Sequence, residues 1–471
     1  MTLVSLYFHS IRYGIVAVFF LLPLFSLITR AVAADVTMGS ASPQKERADP
    51  LLVQGYLSGK YVFRKATTSD QTFQDQDLFG ELRFDLTNPQ SNRYEFHFFG
   101  TARYDLDGNQ DQKGFFPLED IGNTYSSPFH GYLYEAHVDL NQPFSGVTQL
   151  RIGRQDGMRD EPVFFDGIAA DLSLAQKIKM TLYGGAAIHF YEIDSNWGDD
   201  SLGGVGLDYF PWSGTAASMD YLYVQDKRTL EGTTNQYDSL ASIKLVHRFS
   251  PNLKATVKFR YMNDDERDLK IRVVGTVPAW DVELQLAYFR QFRTQYEQSN
   301  ELSPYYDLMG PYYPFQSYDV KLRKLFGVHY AVDLGYFHRT LLDTNQEGPF
   351  NREYRRLYAV FDLIDILREG LSFSLIGEQW KAGPQQFGST GLDAGYAFKK
   401  GRRSPNVHAG TYYSLYKYDY YSSLGERTKV RTYYAKFEYP FAQRYSVNGS
   451  YEIEQGLEDY QTAKLGIRYE F

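Results

Sequence analysis

The residues best equipped for chemistry in this chain are charged side chains gathered around one predicted hairpin. Leu150-Arg151-Ile152-Gly153-Arg154-Gln155 alternates as a strand, a charged loop runs from Asp156 to Glu161, and Phe164-Phe165-Asp166-Gly167-Ile168 leads away again. Arg151, Arg154, Arg159, Asp160, Glu161 and Asp166 would set both signs of charge near one mouth. A loop folded inward with these groups would form a constriction whose field selects what passes. The same groups, paired with one another, would only fix the shape of the loop.

A second set alternates with apolar residues along predicted strands. Glu95, Arg103, Lys258, Arg260 and Glu283 represent it, within a longer ladder that includes Lys244, Lys254, Asp139 and Asp333. Its signs are mixed, which favours pairing between neighbouring strands. Catalytic signatures are missing. No Gly-x-Ser-x-Gly elbow and no His-Glu-x-x-His occurs, and His97, His137, His189 and His329 stand singly in the sequence. An enzyme, a cofactor or a metal site is therefore not expected. With no Cys, the chain can form no disulfide, thiolate metal site or covalent c-type haem. A net charge of −8 offers no electrostatic case for nucleic acid.

The elements that must hold these side chains are strands of period two. In Tyr94-Glu95-Phe96-His97-Phe98 and in Leu253-Lys254-Ala255-Thr256-Val257-Lys258-Phe259-Arg260, every second residue is apolar and the others are polar or charged. The segment Lys464-Leu465-Gly466-Ile467-Arg468-Tyr469-Glu470-Phe471 does the same. Aromatics make up 17% of the chain, with 41 Tyr and 34 Phe, while mean hydropathy is only −0.43. A helical membrane protein would be more apolar. A transmembrane barrel needs just this combination, because half of each strand faces lipid and half faces a wet lumen. Short turns at 143–146, 211–214, 250–252, 277–279, 400–403 and 440–442 alternate with long polar loops. Those loops fall at 66–76, 106–130, 156–166, 191–200, 227–236, 295–316, 342–353 and 420–428.

The expected fold is all-β: a single antiparallel up-and-down transmembrane barrel over 53–471, of about 16–22 strands and best counted as 22. Weak strands near 167–173 and 317–326 are the uncertain members of that count. At the N-terminus, Arg12, the apolar run from Tyr13 to Ile28 and Ala31-Val32-Ala33 read as a signal peptide over 1–33, cleaved before Ala34. Residues 34–52 read as a short disordered lead-in, which leaves no room for a plug domain.

The alternating final strand ending on Phe471 resembles the closing strand of Gram-negative outer-membrane barrels, where that end is the signal read by the barrel-assembly machinery. The Gly153-Arg154-Gln155 hairpin, with Phe165-Asp166-Gly167 after it, resembles one in alginate-export-like and related porin-like barrels. These resemblances imply an outer-membrane location surrounded by lipid, and a porin-like channel for small polar solutes. A large barrel without a plug is also similar to those that sheathe a periplasmic multihaem cytochrome, and the hairpin alone suggests polysaccharide export. Both stand as alternatives.

Overall fold

The structure, a computed structural model, describes residues 51–67, 72–89, 91, 93–107, 128–157, 159, 163–188, 200–225, 237–293, 313–347, 352–399, 403–414, 417–419, 425–427, 430–456 and 459–471. The expected signal peptide, and the lead-in up to residue 50, lie outside them.

The first half of the chain contributes β1 (Leu52–Thr67), β2 (Thr72–Thr87), β3 (Tyr94–Asp105), β4 (Phe129–Phe144), β5 (Val147–Asp156), β6 (Phe164–Ala175), β7 (Ile178–Ala187), β8 (Ser201–Tyr209), β9 (Thr215–Gln225), β10 (Tyr237–Ser250), β11 (Leu253–Met262) and β12 (Asp265–Val277). The second half continues with β13 (Val282–Gln291), β14 (Phe315–Phe326), β15 (Tyr330–Leu341), β16 (Tyr354–Ile364), β17 (Leu371–Ala382), β18 (Gln385–Ala397) and β19 (Asn406–Ser414). A small hairpin of β20 (Lys417–Asp419) and β21 (Gly425–Arg427) precedes β22 (Val430–Pro440), β23 (Tyr445–Gln455) and β24 (Asp459–Glu470).

Twenty-two of these strands form one closed antiparallel sheet, each pairing with its neighbours along the chain, with β19 passing to β22 over the small hairpin. Closure is made by β1 and β24, in register from Tyr56 opposite Glu470 to Thr67 opposite Asp459. The backbone groups of Gly55 and Phe471 exchange hydrogen bonds of 3.1 and 3.0 Å beyond that register. The two segments that were doubtful in the sequence, β6 and β14, are full wall strands of 12 residues each. Twenty-two strands spaced near 4.8 Å and tilted by about 40–45° enclose a backbone diameter of roughly 45 Å.

Alternation decides which side each residue faces. On β24, Leu465 and Ile467 are 54% and 51% exposed, as apolar side chains on an outer wall must be. On the inner side, Asp77, Asp139 and Asp268 are buried among polar partners. Apolar outside and polar inside is the arrangement that lipid around a wet lumen selects. Both ends of the wall, Leu52 and Phe471, lie at the rim of short turns, which include 145–146, 176–177, 251–252 and 441–444. The long connections lie at the opposite rim. That rim also holds tight turns at 263–264 and 383–384, not evident in the alternation. At the first, Asn263 and Asp264 both take positive φ, 52° and 66°, the primed-turn geometry that matches strand twist.

Candidate functional site: the lumen wall

Register assigns the five wall candidates to the inner side. Glu95 stands opposite Asp139, Arg103 opposite Phe79 and Glu283 opposite Arg323. Lys258 lies between Lys244 and Lys270, and Arg260 between Ser242 and Asp268. The inner charges largely pair between neighbouring strands. Asp77, with no exposed surface, takes Arg64 at 2.6 Å from one side and Arg103 at 2.7 Å from the other. Arg260 meets Asp268 at 2.8 Å, and Arg356 grips Glu378 through two bonds of 2.9 Å. Like charges also stand opposite one another, as Glu95 and Asp139 do, and the longest such row is basic. Lys244, Lys258 and Lys270 occupy successive register positions across β10, β11 and β12, and Arg248 stands opposite Lys254. Like charges placed directly opposite oppose sheet stability.

Of the six hairpin charges, the four among the described residues, Arg151, Arg154, Arg159 and Asp166, turn to different partners. Arg151 bonds Asp139 through two contacts of 2.7 and 3.0 Å. Arg154 closes on Asp166 at 2.8 and 2.7 Å and also donates to the Leu133 carbonyl at 3.2 Å, tying β4, β5 and β6 together. Its register places it on the parity of Ile152 and Ile168, opposite to that of Arg151. Asp160 and Glu161 lie outside the described residues. The reason for the split is local. Gly153 takes φ +126°, and a Cβ there would stand 2.9 Å from His137 Cα. It pairs with Gly167, and Gly167 with Gly185, in a row of side-chain-free positions. Gln155 is wholly buried and its amide donates to the Gly153 and Gly167 carbonyls at 3.4 and 3.3 Å. The Gly-Arg-Gln motif is thus a lock for the hairpin: glycine permits the close approach, and the two polar side chains staple it.

Among the described members of the set, Arg159 reaches farthest from its own strands. From the loop between β5 and β6 it bonds Thr181 on β7 at 3.2 Å, and Asp208 on β8 at 3.1 and 3.0 Å. It also bonds Asp220 on β9, and its guanidinium lies over Gly206, where any Cβ would collide with it. Burial opposes its charge, but the hydrogen bonds and fields of Asp208 and Asp220 outweigh that and hold the guanidinium above its ordinary pKa. The same loop drops Val163 beside Phe165, Ala169, Ala187, Leu202, Leu222, Val224 and Leu240, an apolar cluster on the inner wall. An apolar patch in a wet lumen gains from cover, and Val163, four residues beyond the anchored Arg159, adds to it.

His97 and His137 are not isolated, as the sequence suggested. They are register partners on β3 and β4, with rings stacked 4.8 Å apart. His329 sits in the turn before β15 and meets the Ile364 carbonyl at 2.9 Å; His189 lies outside the described residues. Forty residues separate His97 from His137, so only the register could reveal their meeting. The like-charged lysine row could have been found earlier, by aligning the inward positions of successive predicted strands.

No protein-family model matches the chain, and no curated protein sequence matches it. Among solved structures, the translocation pore of the P pilus usher PapC aligns with a TM-score of 0.49 at 10% identity, over 88% of this chain and 99% of that one. Pseudomonas aeruginosa OccK2 (OpdF) aligns at 0.44 and 11% identity, over 89% and 97%. Pseudomonas aeruginosa OccK5 (OpdH) aligns at 0.42 and 12% identity, over 89% and 98%.

Proposed function

We propose that this chain is a porin-like channel of the Gram-negative outer membrane, admitting small polar solutes with a preference for anions. The observation that carries the reading is the wall itself: closed, apolar outside, charged inside, with a row of like-charged lysines along one arc of the lumen. Such a row raises the local concentration of anions inside a low-dielectric wall. Elsewhere, the paired carboxylates of β2 and β4 hold their field close to the wall. By the usual outer-membrane rule the short-turn rim faces the periplasm and the long loops face outward. Arg159, held against β7 and β8, then stands in the outer half of the passage on one side.

Purified barrel in a planar bilayer under a salt gradient tests this. A steady open conductance with a reversal potential toward the anion side supports the proposal. A closed barrel that co-purifies with a haem-staining protein overturns it in favour of a cytochrome sheath. Selective block by anionic oligosaccharide, with no passage of smaller anions, overturns it in favour of polysaccharide export.

A further inference from the structure

Four inward side chains on β3 and β4 form a constellation that charge pairing alone leaves unexplained. His97 and His137 stack with 27° between their planes, and Glu95 and Asp139 face each other two residues nearer the short-turn rim. In each imidazole Nδ1 is already committed. His97 Nδ1 lies 2.6 Å from Asp85 Oδ1, and His137 Nδ1 lies 3.1 Å from the Arg154 carbonyl oxygen. A carboxylate and a carbonyl can only accept, so both Nδ1 atoms carry the hydrogen. In the neutral rings each Nε2 then presents a lone pair. The oxygens facing His97 Nε2 are Glu95 Oε2 and Asp139 Oδ2, each at 3.7 Å. Asp139 Oδ1 faces His137 Nε2 at 3.8 Å.

These distances are too long for hydrogen bonds. They are close to the edges of a coordination polyhedron, because ligands bound at about 2.0–2.1 Å in a tetrahedron stand roughly 3.4 Å apart. An Nδ1–H held by a carboxylate or a backbone carbonyl is also how metal-ligating histidines are oriented. Charge agrees. Asp139 meets the Arg151 guanidinium, while Asp85 and Glu95 meet His97, so these residues together carry two net negative charges for a divalent ion to balance. Arg151 and Gln149, both at 2.7 Å from Asp139, fix the aim of its carboxylate. His137 is 5% and Asp139 2% exposed, so little rearrangement is open to them.

We infer that His97 Nε2, His137 Nε2 and a carboxylate oxygen of Asp139, with Glu95 completing the set, bind one divalent transition-metal ion of the zinc type on the lumen wall. Imidazole with carboxylate suits such an ion better than calcium or magnesium, which take oxygen ligands. The nearby acidic group of Asp75, Asp77 and Asp105 makes a useful contrast, since it holds no imidazole and Arg64 and Arg103 already offset two of its three charges. The inference does not depend on what passes through the lumen.

The test uses the full-length barrel in detergent, stripped with chelator and titrated with Zn²⁺ alone by calorimetry and with Co²⁺ alone by visible absorption. One saturable site and a cobalt ligand-field band are expected. His97→Gln with His137→Gln should abolish both, while Asp85→Asn, which touches no metal, should weaken binding by about 10–100-fold. Heat-modifiable electrophoretic mobility checks that each variant is folded. Folded wild-type barrel without saturable Zn²⁺ binding, or an unchanged stoichiometry in the double variant, overturns the inference.

Discussion

Replacing Arg159 with Ala isolates the loop anchor from the rest of the wall. The side chain is 12% exposed, and its carboxylate partners Asp208 and Asp220 are 26% and 11% exposed. Losing one member of a buried ion pair costs about 3–5 kcal/mol, mostly through the charge left behind. Partial exposure of Asp208 argues for the lower end, about 3 kcal/mol, or a shift of roughly 150-fold in the closed-to-released ratio of the loop. The local charge changes as well. Thr181 also donates to Asp171 at 2.6 Å, so Arg159 sits among Asp171, Asp208 and Asp220, and its removal takes the net charge of that cluster from −2 to −3. In a planar bilayer, Arg159→Ala should move the reversal potential toward cations and add open-channel noise as Val163 leaves the apolar cluster. Arg159→Lys should restore the charge but only part of the quiet state, because an ammonium cannot grip two carboxylates as a planar fork does. An alanine variant with wild-type noise and reversal potential would refute the anchoring argument.

Other perturbations probe separate parts of the wall. Lys270→Glu, which sets a carboxylate opposite Lys258, should make the barrel more stable by about 0.2–1 kcal/mol, read as a higher unfolding temperature, while weakening anion selectivity in the same preparation. Gly153→Val should destabilise the hairpin by at least about 1–3 kcal/mol, since only glycine takes its backbone conformation without strain; proteolysis of the adjoining loop would report it. Asp77→Ala removes the buried carboxylate between Arg64 and Arg103, leaving Arg64 its pairing with Asp75, and should cost about 3 kcal/mol in urea unfolding. Beyond the end of β3, burial pushes the Asp107 carboxyl up to about 6, against a hydrogen bond from the Gln76 N–H, with Asp105 adding to the rise. The folded form therefore holds this proton more tightly than the unfolded one. Its stabilisation is complete below the ordinary value of 3.8 and lost as pH rises through about 6. Asp107→Asn should flatten that part of a pH-stability profile.

The barrel was legible in the sequence because lipid on one face and water on the other impose a period of two that nothing else in the chain disturbs. The strand count followed from the spacing of turns, and β6 was doubtful only because Gly167, Ala169 and Ala170 blur its contrast. Partners across the wall were not legible. Arg159 bonds residues 49 and 61 positions away, and the histidine stack depends on a bulge-containing register between β3 and β4. Residue type announced that Arg159 and His97 carry chemistry; only the pairing of strands says what each one faces.

The exchange of backbone bonds between Gly55 and Phe471 joins the two most distant parts of the wall. Every other strand contact links near neighbours in the chain and can form while synthesis or export is still under way. This one cannot, so until β24 arrives both β1 and β23 offer open ladders of unpaired amides to any strand nearby. Closing the seam therefore sets the slow, non-local step of folding, and it is the point at which the chain is most exposed to pairing with another copy of itself.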